Sequence, residues 1–436
     1  MMKRLLIIIG LMFYSAYALA APPSTPVPRS WFGMTFHHLS TDEDLGAWLS
    51  IPIGTTRSLD SKWSTGSPNF YSYYVDWRSI NTSNGVYDWT IFDAWLARNV
   101  ANHVDTMYTV LNTPAWASSD PTTDSSYGLG AAAPPSNNSY YTAFVTALLT
   151  RAAGRIRIIE GWNEPDIGSS YGSSARWTGT AAQLVTLQQL LYQTVKAFDP
   201  TITVLSPAVS ANEFYTYPYL SSMLAAGLGQ WTDAIAVHLY DTHPEAVLTT
   251  IGQVKAAMTN YSVNQPIWNT EGSWGEISGT SDTIDKQMAH VSRYLLIQWS
   301  GGLAGTNWYA WDDRTVGTLY NEVTAGLGAV GPTNAALAYY LTYTWMLGAT
   351  MTVGVTNVSG TLWTCTLTRP GGYSAQIAWD TAGNNSGYTP PTGTIQYRNL
   401  TGANATTAWS SGTVTVGIKP MIFENNATLG LPRGRL

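Results

Sequence analysis

The chain has 436 residues, of which 11% are charged and 12% are aromatic, and its formal net charge is −6. Disordered chains are rich in charge and poor in aromatics, and nucleic-acid-binding domains carry an excess of Lys and Arg, so this composition excludes both classes. The 19 Trp and 26 Tyr residues favour either a large core or flat platforms for a ligand with an apolar face, and composition leaves both alternatives open.

The N-terminus has the pattern of a secretory signal peptide. Two basic residues, Lys3 and Arg4, precede the apolar run Leu5–Phe13 and the small-x-small pattern Ala18-Leu19-Ala20. We therefore predict a signal peptide over residues 1–20, cleaved after Ala20, and a secreted or periplasmic mature protein. No later stretch approaches ~18 unbroken apolar residues, so the sequence predicts no transmembrane segment.

Eight short apolar runs follow as predicted strands. Several, such as Ile235–Leu239, are almost continuously apolar, which is typical of parallel strands covered on both faces. The eight are Trp31–Phe36, Ile53–Ser58, Val104–Leu111, Arg155–Trp162, Thr201–Ser206, Ala234–Tyr240, Pro266–Glu271 and Leu303–Trp311.

Helical apolar spacing appears between and after these runs. The predicted helices are Asp42–Leu49, Thr90–Asn102, Asn138–Ala153, Leu184–Phe198, Tyr217–Ala226, Pro244–Asn260, Ile284–Leu295 and Asn334–Leu347. A strand followed by a helix, eight times over, predicts the α/β class and a (β/α)8 TIM barrel, which we place at residues 21–348.

Residues 349–436 have a different pattern, in which Thr, Val, Gly, Tyr and Trp alternate without helical spacing. We predict a small C-terminal antiparallel β-domain packed on the barrel. Cys365, the one cysteine, excludes an intrachain disulfide and is predicted to be a buried strand residue. Trp363, Trp379 and Trp409 could serve packing or independent ligand binding, and we favour packing.

Two predicted strands end in carboxylates. The fourth runs into Trp162-Asn163-Glu164-Pro165-Asp166 and the seventh into Trp268-Asn269-Thr270-Glu271. Because active sites of TIM barrels lie at the carboxyl ends of the strands, Glu164 and Glu271 are expected to face one mouth. Paired carboxylates are what acid-assisted cleavage of a glycosidic bond requires.

These segments resemble a known family. Glu160-Gly161-Trp162-Asn163-Glu164-Pro165 is similar to the E-x-W-N-E-P strand of clan A glycoside hydrolases, especially family 39, and Ile267–Glu271 resembles that clan's nucleophile strand. His238-Leu239-Tyr240 resembles its His-x-Tyr strand. The resemblance extends over most of residues 31–345, including a segment from Trp77 to Asp93.

The resemblance implies a retaining mechanism and a role for each matching residue. Glu164 would be the general acid and then the general base, and Glu271 the nucleophile. Asn163 would bind the sugar 2-hydroxyl, and Tyr240 would hold Glu271. Arg57, at the end of the second strand, would keep Glu271 ionised, and the charge of Glu271 would raise the pKa of Glu164.

Further residues are candidates for substrate binding, each with a structural alternative. His238 could contact substrate or be a satisfied core histidine. Trp308 could stack on a sugar or serve packing, and Trp116 and Trp274, which follow the third and seventh strands, are candidate platforms. Glu160 is expected to be a buried structural carboxylate paired with an arginine.

We therefore predict a secreted retaining glycosidase that acts on β-linkages of a neutral or weakly charged polysaccharide or oligosaccharide, with endo action preferred. An exo-acting β-xylosidase-like enzyme and a non-catalytic carbohydrate-binding protein on the same scaffold are the alternatives. We expect no cofactor, no metal ion and no nucleic-acid partner. The sugar and the oligomeric state are open from the sequence.

Overall fold

A computed structural model describes most of the chain. The described residues are 21–36, 51–58, 61–63, 71–73, 75–168, 175–212, 217–273, 281–312, 317–321, 331–383, 386–400 and 406–426. The predicted signal peptide, the predicted helix Asp42–Leu49 and Trp274 lie outside these residues.

All eight predicted barrel strands are present in one parallel sheet. They are β1 Phe32–Thr35, β2 Thr55–Arg57, β5 Asp105–Thr109, β6 Ile156–Glu160, β7 Thr203–Leu205, β9 Ile235–Leu239, β10 Ile267–Glu271 and β11 Gly305–Trp308, with an additional strand β8 Val209–Ala211. The order in the sheet is β7-β6-β5-β2-β1-β11-β10-β9-β8. A short hairpin, β3 Ser61–Trp63 and β4 Tyr71–Tyr73, follows β2.

The fifth barrel strand is interrupted and pairs in two halves. Its first half, β7, pairs with β6, and its second half, β8, pairs with β9. Pro207 stands between them, and because proline has no N–H it cannot continue a ladder of hydrogen bonds. Single parallel bridges from Leu205 to Ala234 and from Asn163 to Ala208 join the halves to the flanking strands and close the barrel.

Helices follow the strands as expected. Their bounds are α1 Trp77–Ile80, α2 Thr90–Ala101, α3 Asn138–Ala152, α4 Ala181–Phe198, α5 Pro218–Ala225, α6 Ala246–Thr259, α7 Ser281–Ser300 and α8 Asn334–Met346. Thr180 begins α4 with a capping box, in which its side chain and that of Gln183 each accept a backbone N–H of the other residue. No helix among the described residues has the length and apolarity to cross a bilayer.

The interior of the barrel is arranged in layers. An apolar cluster that includes Met107, Ile158, Leu205 and Ala236 fills it toward the amino ends of the strands. The next layer is polar. Arg57 lies two residues after Thr55 on β2, Glu160 lies two residues after Ile158 on β6, and both side chains are fully buried. Because alternate residues of a strand share a face, these charged groups point into the barrel at the carboxyl ends.

The C-terminal region is a six-stranded antiparallel sheet in the order β14-β15-β16-β21-β18-β19, as the alternating pattern predicts. Its strands are β14 Thr350–Ser359, β15 Leu362–Arg369, β16 Tyr373–Asp380, β18 Gln396–Arg398, β19 Thr406–Ala408 and β21 Met421–Glu424. Two shorter pairs complete the structure, namely β17 Ser386–Tyr388 with β20 Val414–Val416, and β12 Tyr320–Asn321 with β13 Gly331–Pro332.

This sheet packs on helices of the barrel. The indole of Trp379 is fully buried, and its Nε1 donates to Glu245 at the start of α6, 2.8 Å away. Lys419 reaches Asp285 of α7. The packing role that we favoured for Trp379 is therefore confirmed. Cys365 is fully buried in β15, also as predicted.

Candidate active site

Glu164 follows the end of β6 and enters the mouth of the barrel in an unusual backbone conformation. Its N–H donates to the carbonyl of Ala208, which ties it to the interrupted fifth strand. Its φ of 44° lies in the left-handed region, which residues other than glycine occupy only when the surrounding structure requires it. Such backbone outliers cluster at functional sites.

Glu271, the last residue of β10, is placed by a break in strand register. Between Asn269 and Glu271 the pairing with β9 shifts, so that Glu271 lies opposite His238. Bulges of this kind re-aim a side chain at the end of a strand. The next residue must be glycine, because a Cβ on Gly272 would lie 2.0 Å from the hydroxyl of Tyr294.

The two predicted carboxylates lie close together in a nearly closed site. A carboxylate oxygen of Glu164, a ring nitrogen of His238 and a carboxylate oxygen of Glu271 are all within 4.8 Å of one another. Glu164 is 5% exposed and Glu271 is 8% exposed. The structure therefore brings together two side chains that are 107 residues apart in the sequence.

Arg57 forms hydrogen bonds to several buried side chains of this site. Its Nη1 donates to Glu271 Oε2 at 2.8 Å, its Nε and Nη2 donate to Glu160 Oε2, and its Nη2 also lies 2.7 Å from Asn163 Oδ1. Burial alone would lower the pKa of Arg57, but the Glu160 and Glu271 carboxylates raise it above its ordinary value. The guanidinium therefore stays charged, and Glu160 is the buried, arginine-paired carboxylate that we expected.

His238 contacts both Glu164 and Arg57. Its Nδ1 lies 2.9 Å from Glu164 Oε1, and its Nε2 lies 3.3 Å from Arg57 Nη2. Because a guanidinium can only donate, Nε2 accepts and Nδ1–H donates to Glu164. Burial lowers the pKa of His238 to about 4, so the ring is neutral at neutral pH. His238 is fully buried with both nitrogens engaged, and its predicted contact with substrate stays a prediction.

Tyr240 and Arg57 both favour the ionised form of Glu271. The Tyr240 hydroxyl donates to Glu271 Oε1 at 2.8 Å. Burial works against the charge of Glu271, yet its pKa lies below the ordinary glutamate value because His238, Arg57 and Tyr240 all stabilise the carboxylate. Burial and this negative charge keep the pKa of Tyr240 well above its ordinary value, so Tyr240 remains a donor.

Asn163 lies beside the carboxylates with a defined orientation. Its Oδ1 accepts from Arg57, which fixes Nδ2 as the donor to the hydroxyl of Tyr127 at 3.1 Å. Tyr127 in turn donates to the backbone carbonyl of Asn163. One amide proton of Nδ2 remains for a second acceptor. The predicted contact between Asn163 and a sugar hydroxyl stays a prediction.

Three contacts of Glu164 and its surroundings were not anticipated from the sequence. Arg176 forms an ion pair with Glu164 Oε2, and the Ser210 hydroxyl lies 3.3 Å from Oε1. Asp166 accepts the Ser210 N–H with both oxygens, and burial raises the pKa of Asp166 to about 6. These side chains come from loops after β6 and from β8, and their sequence surroundings hold no signal that would have selected them.

The candidate aromatic platforms differ in their surroundings. Trp308 is 2% exposed, donates from Nε1 to the carbonyl of Gly317, and packs edge-on against Tyr294. Trp116 is half-buried, and its Nε1 donates to the carbonyl of Asn81. Packing contacts are thus present for both. Stacking of a sugar on Trp308 or Trp116 stays a prediction, as does any role of Trp274, which is outside the described residues.

The cluster of Glu164, His238 and Glu271 has donor types that could bind a cation. The charges of Arg57 and Arg176 already lie against the two carboxylates. A divalent ion placed there would be repelled by both guanidinium groups. The geometry therefore fits acid–base chemistry of carboxylates better than a metal centre.

Comparison with known proteins gives the same assignment. Residues 134–322, which include both Glu164 and Glu271, match the family model described as the glycosyl hydrolase catalytic core. No curated protein matches the chain in a sequence comparison.

Among solved structures, a family 39 glycoside hydrolase from Bacteroides cellulosilyticus WH2 superimposes with a TM-score of 0.66 at 13% identity, covering 92% of this chain and 81% of that one. A family 30 endoxylanase from Clostridium papyrosolvens C71 gives 0.59 at 13% identity, with 93% and 98% covered. A family 39 β-xylosidase from Caulobacter crescentus gives 0.58 at 14% identity, with 93% and 97% covered.

These structures share the fold of this chain, which is that of clan A glycoside hydrolases and most like that of family 39, as the sequence motifs predicted. The match of residues 134–322 to a glycosyl hydrolase catalytic core supports a glycosidase.

Proposed function

We propose that the protein is a secreted retaining glycosidase that cleaves β-glycosidic bonds of a polysaccharide by double displacement, with Glu271 as nucleophile and Glu164 as acid and base. The observation that carries the proposal is the proximity of the two carboxylates, with oxygens of both within 4.8 Å. Retaining enzymes place their carboxyl groups about 5–5.5 Å apart, whereas inverting enzymes leave about 6.5–9.5 Å for a water molecule.

In the first step, a carboxylate oxygen of Glu271 attacks the anomeric carbon while the carboxyl of Glu164 gives its proton to the glycosidic oxygen. The bond between the anomeric carbon and that oxygen breaks, the leaving sugar departs as an alcohol, and a glycosyl ester of Glu271 forms. Arg57 and Tyr240 support this role, because both hold Glu271 in the ionised form that attacks.

In the second step, the carboxylate of Glu164 accepts a proton from water as the water oxygen bonds to the anomeric carbon. The ester bond breaks, and Glu271 is released as a carboxylate. Asn163, with one amide proton to offer, is placed to bind the neighbouring hydroxyl of the sugar. Hydrogen bonds of this kind strengthen as positive charge develops on the ring.

The proposed action is endo, and the alternative is exo action of the β-xylosidase type. The structural neighbours include proteins described as an endoxylanase and as an endo-β-1,6-glucanase, and also β-xylosidases. Product lengths read by mass from a panel of polysaccharides decide this point. A ladder of short oligosaccharides supports endo action, and monosaccharide alone contradicts it.

The proposed export rests on the N-terminal pattern of two basic residues, an apolar run and Ala18-Leu19-Ala20. When the full sequence is expressed in a secreting host, the intact mass of the exported protein is expected to correspond to a chain that begins at Ala21. Retention of residues 1–20 on the exported protein would contradict the proposed cleavage.

The mechanism is tested with three variants assayed on an aryl β-glycoside. Glu164→Gln is expected to lower kcat/KM by roughly 10²–10⁴-fold, the usual contribution of a general acid. Glu271→Gln is expected to lose more, because no covalent intermediate can form. Asp93→Asn is the control, since Asp93 pairs with Arg151 on the outer wall of the barrel and such exposed pairs contribute little.

A mechanism-based 2-deoxy-2-fluoro glycoside gives the direct readout. It is expected to label Glu271, as peptide mass mapping would show, and proton NMR is expected to show first formation of the β-anomer. An α-anomer as first product would rule out retention. Turnover by Glu271→Gln equal to that of the wild type would instead support the non-catalytic carbohydrate-binding alternative.

A further inference from the structure

An open groove lies on the outer wall of the barrel between helices α2 and α3, and we call it the wall groove. Its volume is about 580 Å³, which is within the range of about 300–1,000 Å³ that is usual for ligand pockets. Its lining includes Tyr87 and Trp89, which precede α2, and Thr150, Arg151 and Arg155, which lie in or just after the last turn of α3. Neither of the two catalytic carboxylates lines it, so it is separate from the candidate active site.

A row of aromatic rings reaches the wall groove from the core. Phe92 is fully buried, Trp89 packs on it with ring centroids 5.4 Å apart, and Tyr87 stacks on Trp89 at 5.3 Å with an angle of 22° between the rings. Trp89 and Tyr87 are half-buried, and the neighbouring residue Val86 is 54% exposed. Tyr87 is therefore the outer end of the row, held by the rings beneath it and open in part to a ligand.

Arg155 supplies hydrogen-bond donors to the same groove. Its Nε donates to the carbonyl of Ala152 at 2.7 Å, and its Nη2 donates to the carbonyl of Arg151 at 2.9 Å. A guanidinium has five N–H groups, so donors remain for a ligand after these two bonds. Because the bonds to the end of α3 hold the side chain in place, binding a ligand costs little additional side-chain entropy.

The charged side chains that line the wall groove already have opposite charges or dipoles beside them. Arg151 forms an ion pair with Asp93. Arg155 lies against carbonyls at the C-terminal end of α3, where the helix dipole is negative. A ligand without charge therefore fits the groove better than an ion does. A neutral sugar has an apolar face that packs on an aromatic ring and hydroxyl groups that accept from N–H donors.

The open shape of the wall groove suits a polymer. Thr150 and Arg151 are exposed, so a chain that rests in the groove can continue into solvent. A polymer that is bound at one site of a protein meets a second site at a high effective concentration, which raises its affinity without new contacts at either site. A short substrate that occupies the catalytic site alone gains nothing in this way.

We propose that the wall groove binds a neutral β-linked glycan chain, with a sugar ring on Tyr87 and sugar hydroxyls at Arg155, and thereby holds the polysaccharide substrate outside the catalytic site. The inference rests on the proposed function, which supplies the class of polymer. The wall groove takes no part in breaking the bond. It raises the affinity for long chains and leaves the turnover of short substrates unchanged.

Two variants disrupt the wall groove in different ways. Tyr87→Ala removes the outer ring of the row. Thr150→Gln places a longer side chain in the groove from an exposed helical position and removes no ring. The Thr150 hydroxyl bonds the carbonyl of Thr146 one turn earlier, and glutamine is the better helix former, so α3 is expected to stay folded.

Each variant has a matched control elsewhere on the barrel. Tyr261→Ala removes a tyrosine that is 40% exposed on the turn after α6. Thr186→Gln changes an exposed threonine of α4, whose hydroxyl bonds the carbonyl of Ala182 one turn earlier, as that of Thr150 does on α3. Both controls are expected to behave as the wild type in all assays.

The first measurement is affinity gel electrophoresis of Glu271→Gln protein, which leaves the polymer intact. The gels contain one of three neutral polymers, arabinoxylan, mixed-linkage β-glucan or galactomannan, or the acidic polymer polygalacturonate. We expect a neutral polymer to retard the protein, and each groove variant to raise its Kd about threefold to tenfold, the usual contribution of one aromatic contact. Retardation by none of the neutral polymers, or equal retardation of groove variants and controls, overturns the inference.

The second measurement separates binding from a structural role. With Glu271 intact, the groove variants are expected to lower kcat/KM about tenfold on the cleaved polymer, through KM, and to leave kcat/KM on an aryl β-glycoside unchanged. Equal losses on both substrates would show that these residues support the barrel and bind no chain. Failure of the fluoro glycoside to label Glu271 counts against the retaining mechanism, whereas retardation is measured without turnover, so the two failures are distinguishable.

Discussion

Arg57 joins several buried polar side chains of the candidate active site. One guanidinium bonds Glu160 and Asn163, at the end of β6, and Glu271, at the end of β10, and it is fully buried. The planar fork of an arginine can serve three acceptors in fixed directions, which the single ammonium of a lysine cannot do. Arg57 therefore places one positive charge between the buried carboxylates of Glu160 and Glu271 and holds both in position.

Tyr240 gives a prediction at this scale. Tyr240→Phe removes the hydrogen bond to Glu271 Oε1, which is one of the interactions that hold the pKa of Glu271 below its ordinary value. The pKa of Glu271 should therefore rise, so the proposed nucleophile becomes protonated at a higher pH. We expect the acid limb of kcat/KM to move upward by about one pH unit.

The measurement is a pH profile of kcat/KM on an aryl glycoside. Tyr339→Phe is the control, because its hydroxyl lies 3.3 Å from the carbonyl of Gly33 and serves packing. We expect its acid limb to coincide with that of the wild type. An unmoved limb in Tyr240→Phe would mean that the hydroxyl orients Glu271 without affecting its charge.

At the residue scale, Glu164 and Glu271 were identified because they come at the ends of predicted strands, and Arg57 and Tyr240 because of the family resemblance. The sequence patterns did not identify Arg176, which follows no strand and comes twelve residues after Glu164. The position of a loop residue depends on tertiary contacts, such as that between Arg176 and Trp162, and these contacts leave no periodic pattern in the sequence. His238 was also selected from the sequence, but its contact with Glu164 depends on the packing of two distant strands, which the sequence pattern does not reveal.

At the scale of elements, strand β16 and helix α6 meet through a buried polar contact. Glu245, just before α6, pairs with Arg293 of α7 and accepts from the indole of Trp379 on β16. Burial alone would raise the pKa of Glu245, but His243, Arg293 and Trp379 lower it to about 2. This carboxylate thus joins two helices of the barrel to the C-terminal sheet.

Removing this carboxylate should cost much of the stability. Glu245→Gln leaves the guanidinium of Arg293 buried without its counter-charge, and breaking a buried pair in this way costs about 3–5 kcal/mol. Because the pKa of Glu245 is lowered on folding, its contribution is present above about pH 4.5 and is lost as pH falls toward 2. Urea unfolding at pH 7 should show the full loss.

A pair of tryptophan variants tests the same contact from the sheet. Trp379→Phe keeps a ring but loses the hydrogen bond to a charged group, for which we expect a loss of about 1.5–3 kcal/mol. Trp363→Phe, on the half-exposed part of the neighbouring strand β15, is the control and should change stability by less than about 0.5 kcal/mol. Equal effects of the two would show that Glu245 does not link barrel and sheet.

Secondary-structure elements were predicted more completely than the contacts of single residues. Strand runs such as Ile235–Leu239 and the helix pattern around Leu184 specify their type locally, because burial on both faces or on one stripe dictates the spacing of apolar residues. The interruption of the fifth strand at Pro207 was not predicted. A proline can end a strand or separate two halves of one strand, depending on which neighbouring strands the residues on each side pair with. Here β7 pairs with β6 and β8 pairs with β9, and this pairing depends on closure of the barrel.

At the scale of the whole molecule, a few buried ionisable groups determine how the free energy of unfolding depends on pH. His238 and His290 are both buried, and burial lowers their pKa values to about 4 and about 3. Such histidines resist protonation in the folded state, whereas in the unfolded chain they bind protons near pH 6.5. Asp166, with a pKa raised to about 6, has the opposite effect.

The net pH dependence follows from the signs. Between pH 6.5 and 4 the unfolded chain binds more protons at the two histidines, so their contribution to stability falls as pH falls. Asp166 binds a proton in the folded state below about pH 6, so its contribution rises as pH falls, from about pH 6 to 3.8. The two histidines lower the stability on acidification and Asp166 alone raises it. The free energy of unfolding should therefore decrease on acidification by a few kcal/mol.

His290→Leu isolates this effect outside the catalytic groups. His290 on α7 is 5% exposed and packs against the rings of Tyr294 and Trp308, so an apolar side chain of similar size can occupy its place. We expect the variant to lose little stability between pH 6.5 and 4 in urea titrations, whatever its stability at pH 7, because the remaining loss at His238 is nearly cancelled by the gain at Asp166. His103→Leu, at an exposed position on the turn after α2, is the control for replacing a histidine by leucine. An undiminished acid loss in His290→Leu would show that this histidine is charged in the folded protein, and the acid sensitivity would then have to come from His238 and the carboxylates.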